Sequence, residues 1–160
     1  MTDSLYHESI KRLAEAAHGR GKLEQADGEA RLDNPLCGDR VTMQVSLAHG
    51  LVRALAHQVK GCLLCRASAS VIGLHAPGEN AVELERIGHA VRAMLEEGAA
   101  PPPGWDELGV FAPVRGHRSR HGCVLLPFRT LSHALGASPS DSRAIIAEAR
   151  IKGRSTDDLP

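Results

Sequence analysis

Cys37 and Asp39 stand two apart in "NPLCGDRV", residues 34–41, directly after an Asn-Pro turn signal. Two more cysteines, Cys62 and Cys123, fall at other expected element boundaries. Thiolates and a carboxylate are metal-binding groups. Zn²⁺ takes four ligands in a tetrahedron, with sulfur at about 2.3 Å and carboxylate oxygen at about 2.0–2.2 Å. Cys37, Asp39, Cys62 and Cys123 make up such a set. Around Zn²⁺ it carries a formal charge of about −2, which calls for cationic neighbours. Arg40, Arg66, Arg118 and Arg120 all lie within a few residues of it. Permanent zinc staples are mostly all-Cys or Cys/His, and a hard carboxylate among three sulfurs is the ligand most readily displaced. The set therefore suggests exchange. Cys62 and Cys123 are expected at helix N-termini, where free backbone N–H groups lower a thiol's pKa below about 8.5.

These residues must be brought together by the elements around them. After Asp39 the pattern alternates, with Val41, Met43, Val45 and Leu47 apolar and Thr42, Gln44 and Ser46 polar. His49-Gly50 then punctuates, and "LVRALAHQVK" follows, so a β-hairpin is expected with its turn at Ala48 to Gly50. Strands of equal length return Cys62 to the end where Cys37 and Asp39 begin. The inward face of the second strand is ambiguous, because Arg53 and His57 fall in line with Leu51, Leu55 and Val59. A short strand is expected near Ala30 to Leu32.

Helices are expected over residues 4–18, from Cys62 through "CLLCRASASVIGLHA", over Asn80 to Glu97 with Gly98 as a stop, and over Val124 to Leu135. Ser138-Pro139 resembles a further helix start. Ala67, Ser68, Ala69 and Ser70 read as a close-packing surface. One domain is expected over residues 1–150, with a disordered tail at 151–160. The fold class is α+β, a small antiparallel sheet of about three strands packed against four to six helices.

Composition narrows the function classes. Nineteen basic and nineteen acidic residues give no net charge, so nucleic acid and anionic membrane are not expected partners. No run approaches the length of a membrane span, and the N-terminus lacks signal-peptide order, so a cytoplasmic location is expected. In a reducing compartment four cysteines favour metal or sulfur chemistry over disulfides. The aromatic residues are few (Tyr6, Trp105, Phe111 and Phe128), so the core must be aliphatic.

"NPLCGDRV", "GCLLCRASAS" and "RHGCVLLPFRTL", in that order, resemble the IscU/NifU/SufU family of iron–sulfur cluster assembly proteins. The resemblance covers about residues 3–150 and places Cys37, Asp39, Cys62 and Cys123 on the family's three cysteines and its aspartate. It implies the NifU N-terminal/IscU-like fold. The long interval between Cys62 and Cys123, with an extra segment near Gly98 to Arg118, is similar to the SufU branch. So is the residue before the third cysteine, which is His in IscU proteins and Gly122 here. Arg120 matches the basic residue of the SufU block, and His121 lies beside it as a possible auxiliary ligand.

The SufU resemblance implies a zinc protein that accepts persulfide sulfur from a SufS-like cysteine desulfurase and passes it to a downstream Fe–S carrier or apo-protein. In that reading it is a zinc-dependent sulfurtransferase. The IscU resemblance implies a scaffold, not an enzyme, building a [2Fe–2S] cluster or holding iron on the same ligands. A purely structural zinc module is a third reading. Cys37 is the expected persulfide acceptor, since a loop residue can swing. His57, Val59, Cys65 and Phe128 depart from the family pattern. Cys62-x-x-Cys65 lacks the second pair of a zinc ribbon, and the simpler reading of Cys65 is a buried helix residue. Asp39 alone would read as a turn cap, His121 and "RGHRSRH" as a solvated loop or a docking patch.

Overall fold

The alternation in β2 (Asp39–Ala48) sets the architecture, because it gives one apolar and one polar face. Val41, Met43 and Val45 are fully buried, while Thr42 and Gln44 lie on the opposite side. A computed structural model describes residues 2–136, with side chains from residue 8 onward. β1 (Gly28–Asn34) and β3 (Leu51–Lys60) flank β2 in an antiparallel sheet of order β1-β2-β3. The hairpin turns through His49 and Gly50, both at positive φ (54° and 79°), the geometry that matches the twist of paired strands.

Register settles the ambiguity in β3. Val41 faces Val59, Met43 faces His57 and Val45 faces Leu55, so His57 lies on the inward face and is only 4 % exposed. A bulge between Ser46 and Leu47 then shifts the pairing. Past it Val52 turns inward, and Arg53 reaches across to donate to Ser46 Oγ at 3.1 Å.

The helices are α1 (Thr2–Ala16), α2 (Leu63–His75), α3 (Ala81–Glu97) and α4 (His121–Ala134). α4 and α2 cover the apolar face of the sheet. Ala67, Ser68, Ala69 and Ser70 are all buried, and Ser68 Oγ donates to Val124 O at 2.7 Å, so the small-residue run joins α2 closely to α4. α3 has the expected caps. Asn80 Oδ1 accepts the Glu83 N–H at 2.7 Å, and Gly98 takes a left-handed φ of 76°.

Residues 106–116 form a 3₁₀ segment containing Pro113, and it buries Leu108, Phe111 and Val114. Helix α4 begins at His121, three residues before the expected Val124. Arg120 stands at its N-cap without a side-chain cap bond, so no local signal marks the start. The helix expected after Ser138 and the tail at 151–160 lie outside the described residues.

Candidate metal centre

Asn34 builds the turn that presents Cys37. Its carbonyl accepts the N–H of Cys37 (3.2 Å) and of Gly38 (2.8 Å), and its Oδ1 accepts the Leu36 N–H at 3.1 Å. Gly38 takes φ 75°, the left-handed conformation that glycine adopts without strain. Leu36 and Cys37 are thereby held out in solvent, Leu36 at 92 % exposure. Asp39 follows as the first residue of β2 and is buried.

Three of the four expected ligands converge tightly. Sγ of Cys37, Sγ of Cys123 and a carboxylate oxygen of Asp39 lie within 4.8 Å of one another, a grouping able to hold a metal ion. The Cys37 and Cys123 sulfurs are 3.2 Å apart. Cys62 approaches from the carboxylate side. Its backbone N–H donates to Asp39 Oδ1 at 3.0 Å, and its thiol lies 3.6 Å from Oδ2. Asp39 thus ties the start of α2 to the start of β2, where a cap of its own turn was the alternative, and also joins the sulfur cluster.

The donor set fits a tetrahedral ion. The edges of a ZnS₃O tetrahedron are about 3.8 Å for S–S and about 3.5 Å for S–O. The Cys62–Asp39 contact of 3.6 Å already has the length of such an edge. The Cys37–Cys123 pair, at 3.2 Å, needs to open by about half an ångström, which an exposed loop cysteine permits.

The expected lowering of the Cys123 pKa is overturned. Cys123 lies in the first turn of α4 but is 1 % exposed. Burial, then the hydrogen bond with Cys37 and the charge of Cys62, push its thiol well above the ordinary range. Desolvation and crowding by acidic neighbours outweigh the helix terminus there. Cys65 is fully buried behind the cluster and likewise pushed up, first by burial and then by the charges of Asp39, Cys62 and Cys37. It behaves as the buried helix residue that the simpler reading expects.

The remaining candidates have other partners or lie exposed. His121 Nε2 is 3.1 Å from Val114 O and 3.0 Å from Arg115 O, so its ring donates to the 3₁₀ segment and its Nε2 is not offered to the sulfurs. The Arg40 guanidinium pairs with Asp33 at 2.7 Å, across on β1. Arg66, Arg118 and Arg120 are exposed. Two glycines, each directly before a cysteine, shape the site instead. Gly61 packs on Asp39 so closely that an added Cβ would lie 2.7 Å from Oδ1. At Gly122 an added Cβ would meet the end of the Asn34 side chain, Nδ2 at 2.9 Å, which would have to shift. A glycine beside each cysteine was the only available signal.

A three-stranded antiparallel sheet with helices stacked on its apolar face is the fold of NifU-like proteins. The chain belongs to that family: residues 5–97 match the NifU-like N terminal domain. The iron–sulfur cluster assembly scaffold protein IscU of Thermotoga maritima is 25 % identical over 131 residues, which is 82 % of this chain and 92 % of that protein. The scaffold protein IscU 1 of Archaeoglobus fulgidus is 31 % identical over 67 residues, 42 % of this chain and 44 % of that one. The crystal structure of a NifU-like protein (N-terminal) from Brucella abortus superposes with a TM-score of 0.78 at 33 % identity, over 83 % of this chain and 93 % of the other. A putative scaffold protein for the SUF system from Fervidobacterium islandicum gives 0.75 at 25 % identity, over 82 % and 97 %.

Proposed function

We propose that this protein serves iron–sulfur cluster biogenesis in the SufU manner, with Cys37, Asp39, Cys62 and Cys123 as the ligands of a zinc ion. The observation that carries the reading is the convergence of Cys37, Asp39 and Cys123, with Cys62 held on the same carboxylate. A bound Zn²⁺ would keep the cysteines as thiolates at neutral pH. Gly122, at the position where IscU members carry His, favours SufU over IscU.

Cys37 is the acceptor, since it is the exposed member of the cluster. Its thiolate attacks the outer sulfur of a cysteine persulfide on a desulfurase; the S–S bond breaks, and the desulfurase cysteine leaves as thiolate. The product is a persulfide on Cys37, to be passed to a downstream carrier or apo-protein. Arg120 and His121 flank the entry to α4 and take no ligand role. No helix among the described residues is long and apolar enough to cross a membrane, which agrees with a cytoplasmic place for this chemistry.

The test is metal analysis of protein purified without added metal, paired with a cysteine desulfurase assay. Stoichiometric zinc and a stimulated desulfurase are expected, with Cys37→Ser folded but unable to accept sulfur. Normal persulfide uptake by that variant would refute the assignment of Cys37. A second reading, a scaffold for [2Fe–2S], is favoured by the scaffold relatives at similar length. Anaerobic reconstitution with iron and sulfide, read by visible absorption, separates the two.

A further inference from the structure

A cleft adjoining the sulfur cluster at Gly61 lies between the end of α1, β3 and the start of α2, with a volume of about 320 Å³. That is the lower end of the range for small-ligand pockets. Ala14, Ala17 and Val59 give it an apolar floor, Arg20 and Arg66 stand at its rim, and no carboxylate lines it. Three arginines elsewhere are neutralised: Arg40 on Asp33, Arg86 on Glu83, Arg92 on Glu96. Among the described residues neither Arg20 nor Arg66 joins an ion pair. Two free guanidiniums facing one small cleft are an anion-binding arrangement.

The cleft is also built at some strain. Leaving α1, the chain passes through Ala17 at φ 43°, a left-handed conformation unfavourable for a residue with a Cβ, and then Gly19 at φ 84°. This turn sets His18 against α2 and brings Arg20 beside β3, where it bridges to His57. His57 lines the cleft. Its Nε2 lies 2.7 Å from His18 O, and because a carbonyl only accepts, the ring proton sits on Nε2. Nδ1 is then a buried acceptor with no partner among the described residues. Buried polar atoms are rarely left so, and a small shift of the groups covering it would let a ligand hydroxyl complete it.

We propose that this cleft binds a small dianion that also carries a hydroxyl, of the hydrogenphosphate or hydroxydicarboxylate class. Its anionic oxygens take the guanidiniums of Arg20 and Arg66, and its hydroxyl donates toward His57.

Titration of the full chain with inorganic phosphate and, separately, with L-malate, followed by backbone amide NMR, tests the proposal. Saturable shifts are expected at Ala17, Val59, Gly61 and Arg66. Arg20→Gln and Arg66→Gln, both at exposed positions, should each weaken binding about tenfold, the loss of one charge-assisted hydrogen bond. Tighter phosphate would name a phosphorylated ligand, and tighter malate a carboxylate one. Succinate, which lacks the hydroxyl of malate, should bind more weakly, and equal binding would overturn the part assigned to His57. No saturable shift with either anion, or unchanged affinity in the double variant, would overturn the site itself.

Discussion

The Asp39 carboxylate is shared between two jobs: Oδ1 accepts the backbone N–H of Cys62 at 3.0 Å, while Oδ2 lies 3.6 Å from the Cys62 thiol. The start of β2 and the start of α2 are thereby tied at the point where the sulfurs gather. Gly61 lies against that carboxylate.

Gly61→Ala should therefore disturb the site without unfolding the chain. Its Cβ would lie 2.7 Å from Oδ1 and 2.8 Å from Cγ, side-chain atoms that can rotate away. Displacing a positioned ligand in this way typically costs about 10–100-fold in metal affinity. Competition with a zinc chelator would measure it, alongside a thermal melt that should hardly move. Wild-type affinity in the variant would show that Asp39 does not depend on its orientation.

Cys37→Ala and Cys123→Ala should differ in stability although both remove a sulfur from the cluster. Cys37 is exposed, so its truncation should change the unfolding free energy by less than about 0.5 kcal/mol. Cys123 is 1 % exposed, and loss of its sulfur leaves a small cavity worth about 1 kcal/mol. Urea denaturation of the metal-free proteins distinguishes them. Equal losses would mean that the loop cysteine is packed in solution.

His57 should make stability fall in mild acid. Burial holds its pKa below the ordinary value of about 6.5, the Arg20 charge acts in the same direction, and the bond to His18 O opposes them. The unfolded chain takes up a proton near the ordinary value while the folded chain does not. Stability is thus greatest above that value and declines as pH falls from about 7 towards about 5. His57→Gln should flatten this decline, as read from denaturation midpoints across the range. An unchanged slope would assign the acid sensitivity elsewhere.

Gly73→Ala and Gly88→Ala should move stability in opposite directions. A Cβ at Gly73 would lie 1.9 Å from His18 O and 2.9 Å from Gly19 N, backbone that cannot retreat, so a loss of about 3 kcal/mol is expected. At Gly88, within α3, the nearest atom is Phe128 Cβ at 3.9 Å, an ordinary contact. There alanine should stabilise by about 0.5–1 kcal/mol through helix propensity. Thermal unfolding of the two variants provides the comparison, and a tolerated Gly73→Ala would refute the tight crossing of the α1 exit with α2.

Where the determinants are local, the sequence alone determined the outcome. Period-two alternation marks β2, two left-handed turn residues close the hairpin, and an Asn N-cap with a Gly C-cap delimits α3. The cysteine and aspartate spacings identify which side chains have metal chemistry to offer. Tertiary structure decided the rest, because burial and register are properties of contacts between distant segments. The pairing of Met43 with His57 put that histidine on the inward face, packing on the 3₁₀ segment drew His121 away from the sulfurs, and desolvation reversed the pKa shift that the start of α4 implied for Cys123. None of these leaves a mark on the neighbouring residues in the chain, since each arises where segments far apart in sequence exclude water together.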